Sequence, residues 1–371
     1  MPPEKTWQHT VLTPPPWPPL LIAARWWVRY GPGTIIEQRL VREWLDIALR
    51  QRPRRRRVVR TRYGGRFHIP TTLDFIARAI YLHGCWEGSV SALVAARLRP
   101  GDRFLDIGAA GGWYSVLAAD RVGPNGAVVA VEPAPAALGQ LRANLNLNGR
   151  TNVRIVAAAV TAEPGPVRLY VPGRGNDGAT TTIPPDDPVA EFAAAGRPLA
   201  EMVGPGDLEN ARMIKVDVEG AEGTVLSQLA RLVPRLRSDC EILVEVTPKW
   251  LAAMGHTVDE ILKPLTDKGF RVFRVPNSYA PEDMTVAARH PSPPIPLTGA
   301  ITRQTDLLLT RGAAAADRPT SRRNSASSRS SRATPAGWRP TATPPWRPWR
   351  SCGGEPLPRL GVPAVTRGSR G

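Results

Sequence analysis

The 371-residue chain is poor in sulfur and in histidine, with three cysteines (Cys85, Cys240 and Cys352) and five histidines. The cysteines lie far apart with no CxxC pair, and no two histidines stand at HxxxH or HExxH spacing. This argues against a structural zinc site and a disulfide framework, and it suits a reducing cytoplasm. Long apolar runs are also missing. The longest near the N-terminus, LLIAARWWV at 20–28, is broken by Arg25 and is too short to span a bilayer. It follows TPPPWPP without a small-residue cleavage site, so it makes a poor signal peptide.

Acid is scarce only at the ends. The formal net charge of +17 divides into +10 over residues 1–69, −2 over 70–311 and +9 over 312–371. A nearly neutral centre with basic ends lacks the basic stripe of a nucleic-acid-binding domain. The chain also has no Pro-Cys dipeptide for cytosine C5 chemistry. The amino-methylating [DNS]-P-P-[YFW] signature is absent, since TPPPW and TPPW lie in the proline-rich ends. A nucleic-acid-modifying enzyme using the basic ends stays as one alternative for the chain, and a non-catalytic cofactor-binding scaffold as a second.

What is present reads in four parts. Residues 1–32 form a Pro/Trp-rich, loosely ordered lead segment. Residues 33–100 form a helical extension with a basic linker. Its first helix, TIIEQRLVREWLDIALR, repeats Ile36, Leu40, Trp44, Ile47 and Ala48 at helical spacing, with Glu37, Arg39, Arg42, Glu43 and Asp46 on other faces. Because that polar face mixes both signs, packing on the main domain or a partner subunit is expected rather than a place on a membrane surface. The run QRPRRRRVVR at 51–60 reads as a solvated linker. Residues 66–69 look strand-like, and helices are expected from Phe75 and over 89–98.

From 103 strands alternate with helices: FLDIG, VVAVEP, VRIVAAAV, RMIKVDVEG and EILVEVTP, then RVFRV and TDLLLT with no helix between the last two. This is an α/β, doubly wound, mostly parallel seven-stranded sheet of Rossmann-like class I methyltransferase type with an antiparallel edge strand, over residues 101–311. PVRLYVPGRGNDGATTT reads as a hairpin with its tip at Gly173–Gly178, either a lid over the site or a plain surface hairpin. Residues 312–371, with 11 Arg, 9 Pro and 8 Ser, read as a disordered basic tail without chemistry.

The sharpest local feature is GDRFLDIGAAGGWYSVLAADR at 101–121, a strand, a glycine turn and a helix. Gly108, Gly111 and Gly112 do not match the G-x-G-x-x-G of a dinucleotide fold. Asp106, at the tip of the first strand, would repel a pyrophosphate but suits a ligand carrying an ammonium and a sulfonium, as S-adenosylmethionine does. Glu132 ends the second strand, 20 residues beyond Gly112, where a ribose would be held by its two hydroxyls. The alternative for both acids is helix capping at exposed loop starts.

These residues carry a resemblance. LDIGAAGGWYSVLAA, VEPAPAALGQLRANLNLNG, IKVDVEGAEGTVL and ILVEVTP, in that order and spacing, resemble the FkbM-type S-adenosylmethionine-dependent methyltransferases over about residues 66–311. The chain departs from the family at Ala110, where Asn is common, and in PLAEMVGPGDLENARM before the fourth strand. The resemblance implies S-adenosylmethionine as cofactor and O-methylation of a hydroxyl on a sugar, glycan or secondary metabolite. Asp106, Gly108, Ala109, Gly112, Glu132, Pro133 and Ala158 are the expected cofactor residues, with Ala158 to Val160 as an apolar wall for the adenine.

A methyl group on sulfonium is already activated, so the protein must supply position and a place for the acceptor's proton. In MIKVDVEG, Lys215, Asp217 and Glu219 alternate on one face of an otherwise apolar strand, which is costly unless they pair or work. Asp217 is expected as base or orienter of the hydroxyl, Lys215 as its charge partner, and Glu219 at the following helix start, with a structural ion pair as the alternative. Glu245 could join Asp217 around Mg²⁺. His68 and His83 could reach over the pocket but read as packed side chains. Trp113 reads as core or lid.

Overall fold

The computed structural model describes residues 18–171, 180–186 and 188–312; the expected hairpin tip, the lead segment up to residue 17 and the tail from 313 lie outside the described residues. The N-terminal part runs α1 (Pro18–Tyr30), α2 (Ile35–Leu40), a π-helical turn at Val41–Leu45, α3 (Asp46–Gln51), β1 (Arg55–Arg60), β2 (Arg66–Thr71), α4 (Phe75–His83) and α5 (Gly88–Arg97). Then come β3 (Arg103–Ile107), α6 (Trp113–Val122), β4 (Ala127–Val131), α7 (Pro135–Leu147) and β5 (Val153–Val156). These are followed by β6 (Ala159–Val160), β7 (Gly165–Val171), β8 (Ala190–Arg197) and α8 (Leu199–Met202). The chain closes with β9 (Ala211–Val216), α9 (Glu222–Leu232), β10 (Glu241–Val246), α10 (Pro248–Ala253), α11 (Val258–Thr266), β11 (Arg271–Val275), α12 (Pro281–Ala287), β12 (Ile295–Pro296) and β13 (Thr305–Thr310).

All seven expected strands belong to one sheet, which the two-residue β12 extends to eight in the order β12-β11-β13-β10-β9-β3-β4-β5. The β10, β9, β3, β4 and β5 strands are parallel. Their near-continuous apolar runs suit strands covered on both faces. The antiparallel strand expected at the margin lies further in, because β13 pairs antiparallel with both β10 and β11. Leu307, Leu308 and Leu309 explain the position: all three are buried, a demand for cover on both faces that an edge slot does not meet. The expected third strand also divides. Its first half is β5, while Ala159 and Val160 leave for a small second sheet of order β6-β8-β7.

Three expectations for the N-terminal part change. Residues 18–30, read as loosely ordered, form a helix whose Val28 joins the main core. The helix after Gly33 keeps its place, but the π-helical turn rotates its second half. Val41, Leu45, Ala48 and Leu49 face inward, whereas Ile36 and Ile47 are exposed. The basic run at 51–60 is no linker: β1 pairs antiparallel with β2, anchored by the buried Val59 beside Phe67.

Strand parity decides what reaches each face of the sheet. Leu105, Ile107, Ile214, Val216, Ile242 and Val244 pack into one core with helices α9 and α11. Phe104, Met213, Leu243 and Leu308 pack into the other, shared with α4, α5, α6 and the N-terminal helices, so residues 33–100 and the sheet have a common core. Asp106, Lys215, Glu245 and Asp306 are two residues along from members of that second set. The charged residues of the central strands therefore project toward the face that the N-terminal part covers.

Candidate active site

The glycine turn is held by the sheet itself. Gly108 and Ala109 N–H groups both donate to the Val131 carbonyl at the end of β4, at 2.9 and 3.0 Å. Gly108 has φ +89°, and a Cβ there would stand 1.7 Å from the Asp217 carbonyl oxygen, so only glycine fits. Gly112 caps α6 at φ +86° with Leu141 against it.

Two adjoining cavities open at the carboxyl ends of the strands. The first, about 250 Å³, is lined by Gly108, Glu132, Pro133, Ala158, Ala159 and Val160 at one end and by Glu87, Glu219, Glu245, Tyr279 and Gln304 at the other. The second, about 570 Å³, lies between the glycine turn and the β2–α4 region, with Ala109, His68, Trp113, Tyr114, Gln140 and Lys215 among its walls. Ile76, Trp86, Gly108, Ala110 and Asp217 line both. Asp217 is the one ionisable residue common to the two.

The expected residues separate accordingly. Gly108, Glu132, Pro133 and Ala158 meet in the first cavity, while Ala109 faces the second. Asp106 and Gly112 line neither. Asp106 is buried below the turn, its Oδ2 accepting from Ser115 Oγ at 2.6 Å and its Oδ1 without a partner. Burial lifts its pKa to about 6, against the pull of Lys215. Glu132 accepts from the Ala110 N–H at 2.8 Å and the Ala134 N–H at 2.7 Å, and burial lifts it to about 7.

Lys215 and Asp217 do pair, at 2.7 Å, with the lysine buried and the aspartate a quarter exposed. Lys215 Nζ also stands 4.7 Å from the centre of the Tyr114 ring. Burial alone would lower the ammonium's pKa, but Asp217, Glu87 and Asp106 outweigh it and hold the group above its usual value. Glu219 is not at the helix start. It sits before α9 at φ +49°, and the first-turn acid is Glu222, which takes the Gly220 N–H at 3.0 Å. Burial, then Asp217 and Glu222, raise Glu219 to about 8.

Sequence reasoning missed a group of partners. Glu87, at φ +42°, receives the Tyr114 hydroxyl, and Tyr279 OH lies 2.7 Å from its Oε1. The same Tyr279 hydroxyl contacts Glu245, whose other oxygen receives Gln304 Nε2. One hydroxyl has one proton, so at least one of these two carboxyls carries a proton of its own. Burial raises the pKa of both, and Asp217 and Asp306 add to it at Glu245. Glu245 is also register-paired with Asp306, two buried acids side by side. The only sequence signal was two acids at the ends of apolar strands; Glu87, Tyr279 and Gln304 arrive on loops.

Glu245 does come together with Asp217 and Glu219, one oxygen of each within 4.8 Å of the others. Both Glu245 oxygens are already bonded, so a hard cation there would displace Tyr279 or Gln304. His68 lines the second cavity, whereas His83 is fully buried, its pKa lowered to about 3 by burial and by Arg62 and Arg29. Trp113 is core, donating to Ser91 Oγ at 2.8 Å while one face lines the second cavity. All four non-glycine residues with positive φ among the described residues, Arg56, Glu87, Ala110 and Glu219, line one or both cavities. Strain gathered in this way marks a functional site.

Residues 106–272 match the family model described as the methyltransferase FkbM domain. No curated protein matches the sequence. Among solved structures, a putative rRNA-methylase from Clostridium thermocellum is 12% identical, over 60% of this chain and 93% of that one, at a TM-score of 0.37. A SAM-dependent O-methyltransferase from Thermotoga maritima is 17% identical over 68% and 76%, at 0.34. Aeropyrum pernix fibrillarin with natively bound S-adenosyl-L-methionine is 14% identical over 68% and 81%, also at 0.34. At such scores none of the three bears on what this chain does.

Proposed function

We propose that the chain, whose residues 106–272 match the methyltransferase FkbM domain, uses S-adenosylmethionine to methylate a hydroxyl of a sugar, glycan or secondary metabolite, with Asp217 taking the proton. The observation that carries this reading is the place of Asp217 at the junction of two cavities.

The first cavity has the donor set for the cofactor. Glu132 keeps lone pairs free beyond its two backbone bonds for a pair of ribose hydroxyls, and Pro133 with Ala158 to Val160 offers a flat apolar wall. At the other end the carboxyls of Glu87 and Glu219 offer oxygen acceptors for the ammonium of such a ligand. S-adenosylmethionine supplies a methyl group already activated on sulfonium. The second cavity, larger and with polar groups at Asp74, His68 and Gln140, would take the acceptor.

Asp217 is the carboxyl at the junction, oriented by its 2.7 Å pair with the Lys215 ammonium, and takes the acceptor's proton. Glu219, raised to about 8, holds its proton near neutral pH and serves as a donor, and burial raises Glu245 beside it. Trp86 and Ile76 give the junction an apolar lining beside Asp217.

Calorimetric titration of S-adenosylmethionine into the full chain comes first; binding lost in Glu132→Ala supports the cofactor assignment. Labelled methyl transfer to a panel of hydroxylated glycans and macrolides comes next. Asp217→Asn should lower the rate about 10²–10⁴-fold with cofactor affinity kept. The product should survive mild base, as a methyl ether does and a methyl ester does not. A folded wild-type chain that binds no S-adenosylmethionine overturns the reading.

A further inference from the structure

The face of α1 turned to solvent is apolar and aromatic. At roughly 100° per residue, Leu20, Ile22, Trp26, Trp27 and Tyr30 fall within one arc of about 160°. Trp26 is 61% exposed and Tyr30 59%, and their rings stack obliquely at 5.5 Å. The helix is inverted with respect to ordinary amphipathicity, since its two arginines point into the protein. Arg25 Nε donates to the Tyr81 carbonyl at 2.7 Å, and Arg29 is 5% exposed. Ile35 and Ile36, both about two-thirds exposed, continue the apolar surface at the start of α2.

The exposed charge of residues 18–60 is almost all basic. Of the three acids in residues 18–60, Glu37 is buried, capping Gly33 and Thr34, and Asp46 is buried against Arg78 at 2.6 Å. Only Glu43 is exposed. Eight arginines are exposed in the same stretch: Arg39, Arg42, Arg50, Arg52, Arg55, Arg56, Arg57 and Arg60. Of the acids that mixed the signs in the sequence, only Glu43 remains at the surface, paired with Arg42. A second copy packed on this face would set arginines against arginines, whereas an anionic bilayer complements them.

We propose that α1 and the start of α2 form a membrane-surface anchor, with Trp26, Trp27 and Tyr30 entering the headgroup region of a bilayer containing anionic lipid while the neighbouring arginines hold its phosphates. Tryptophan and tyrosine favour that interfacial depth, and binding of this kind combines buried apolar area with electrostatic attraction. The α1 helix has 13 residues, so it lies on the surface and does not cross.

The test is flotation of the full chain with vesicles of phosphatidylcholine containing roughly a third phosphatidylglycerol, beside pure phosphatidylcholine. The wild type should float with the anionic vesicles, and Trp26→Ser/Trp27→Ser should weaken partitioning about tenfold or more. Arg55→Gln/Arg57→Gln should reduce the preference for anionic lipid and leave the tryptophans able to insert. Quenching of tryptophan fluorescence by brominated acyl chains should fall in the double tryptophan variant. Far-UV circular dichroism checks that both variants stay folded. Three results overturn the proposal: no flotation of the wild type; flotation unchanged by the tryptophan changes, which assigns binding to the basic ends; or a dimer that those changes convert to monomer without affecting flotation.

Discussion

Lys215→Met is the most informative single change to stability. The ion pair it removes is 2.7 Å long, which at an effective dielectric near 20 corresponds to about 6 kcal/mol of gross attraction. Desolvation of the lysine and the quarter exposure of Asp217 reduce this. What remains is the cost of leaving buried acids without their cation, about 3–5 kcal/mol. The loss should depend on pH. Lys215, held above its ordinary value, is charged in both folded and unfolded chains through neutral pH, so it introduces no slope there. Asp106 differs: its folded pKa, already raised to about 6, rises further once Lys215 is gone. An acid raised on folding contributes stability below its unfolded pKa and loses it as pH climbs through the folded one. The variant should therefore lose the full amount at pH 8 and about 1–2 kcal/mol less at pH 5.5. Urea unfolding followed by far-UV circular dichroism at both pH values measures it. A loss below about 1 kcal/mol, or the same loss at both, would refute the account of Lys215 as the counter-charge of the cluster.

Other expectations follow from the turn and its acid. Glu132 must be ionised to accept from ribose hydroxyls and titrates near 7, so S-adenosylmethionine affinity should rise about tenfold per pH unit below that point and level off above it; Glu132→Gln should flatten the profile in calorimetry. Gly108→Ala forces a Cβ onto the Asp217 carbonyl in a left-handed conformation and should cost about 3 kcal/mol or more by chemical denaturation. Ala110 has φ +45°, so Ala110→Gly should stabilise the chain by about 1 kcal/mol, seen as a raised melting temperature.

The central sheet was legible because its strands are apolar runs between turn residues, and the alternation of Lys215, Asp217 and Glu219 showed through the run that contains it. The position of β13 was not, since order along the chain does not state which gap a late strand enters. Arg55, Arg56 and Arg57 masked the strand in which Val59 is the buried anchor. The π-helical turn moved the buried face of the following helix by a fraction of a turn, a shift that a fixed period cannot register. Within the site, Glu132 and Asp217 were found from strand ends. Glu87, Tyr279 and Gln304 were not, because loops bring them from residues far apart in sequence to one cavity.

The insertion of β13 between β10 and β11 also sets an order on synthesis. A nascent chain that has emerged only to residue 300 has made every parallel strand of the large sheet, yet β10 and β11 still lack the strand that joins them. Two unpaired strand edges then stand open beside each other, an arrangement prone to wrong partners. Asp306 and Gln304 arrive with the same late segment. The acidic end of the first cavity, where Gln304 meets Glu245, is therefore completed only as the last strand among the described residues arrives, after a ribosome has released nearly the whole sheet.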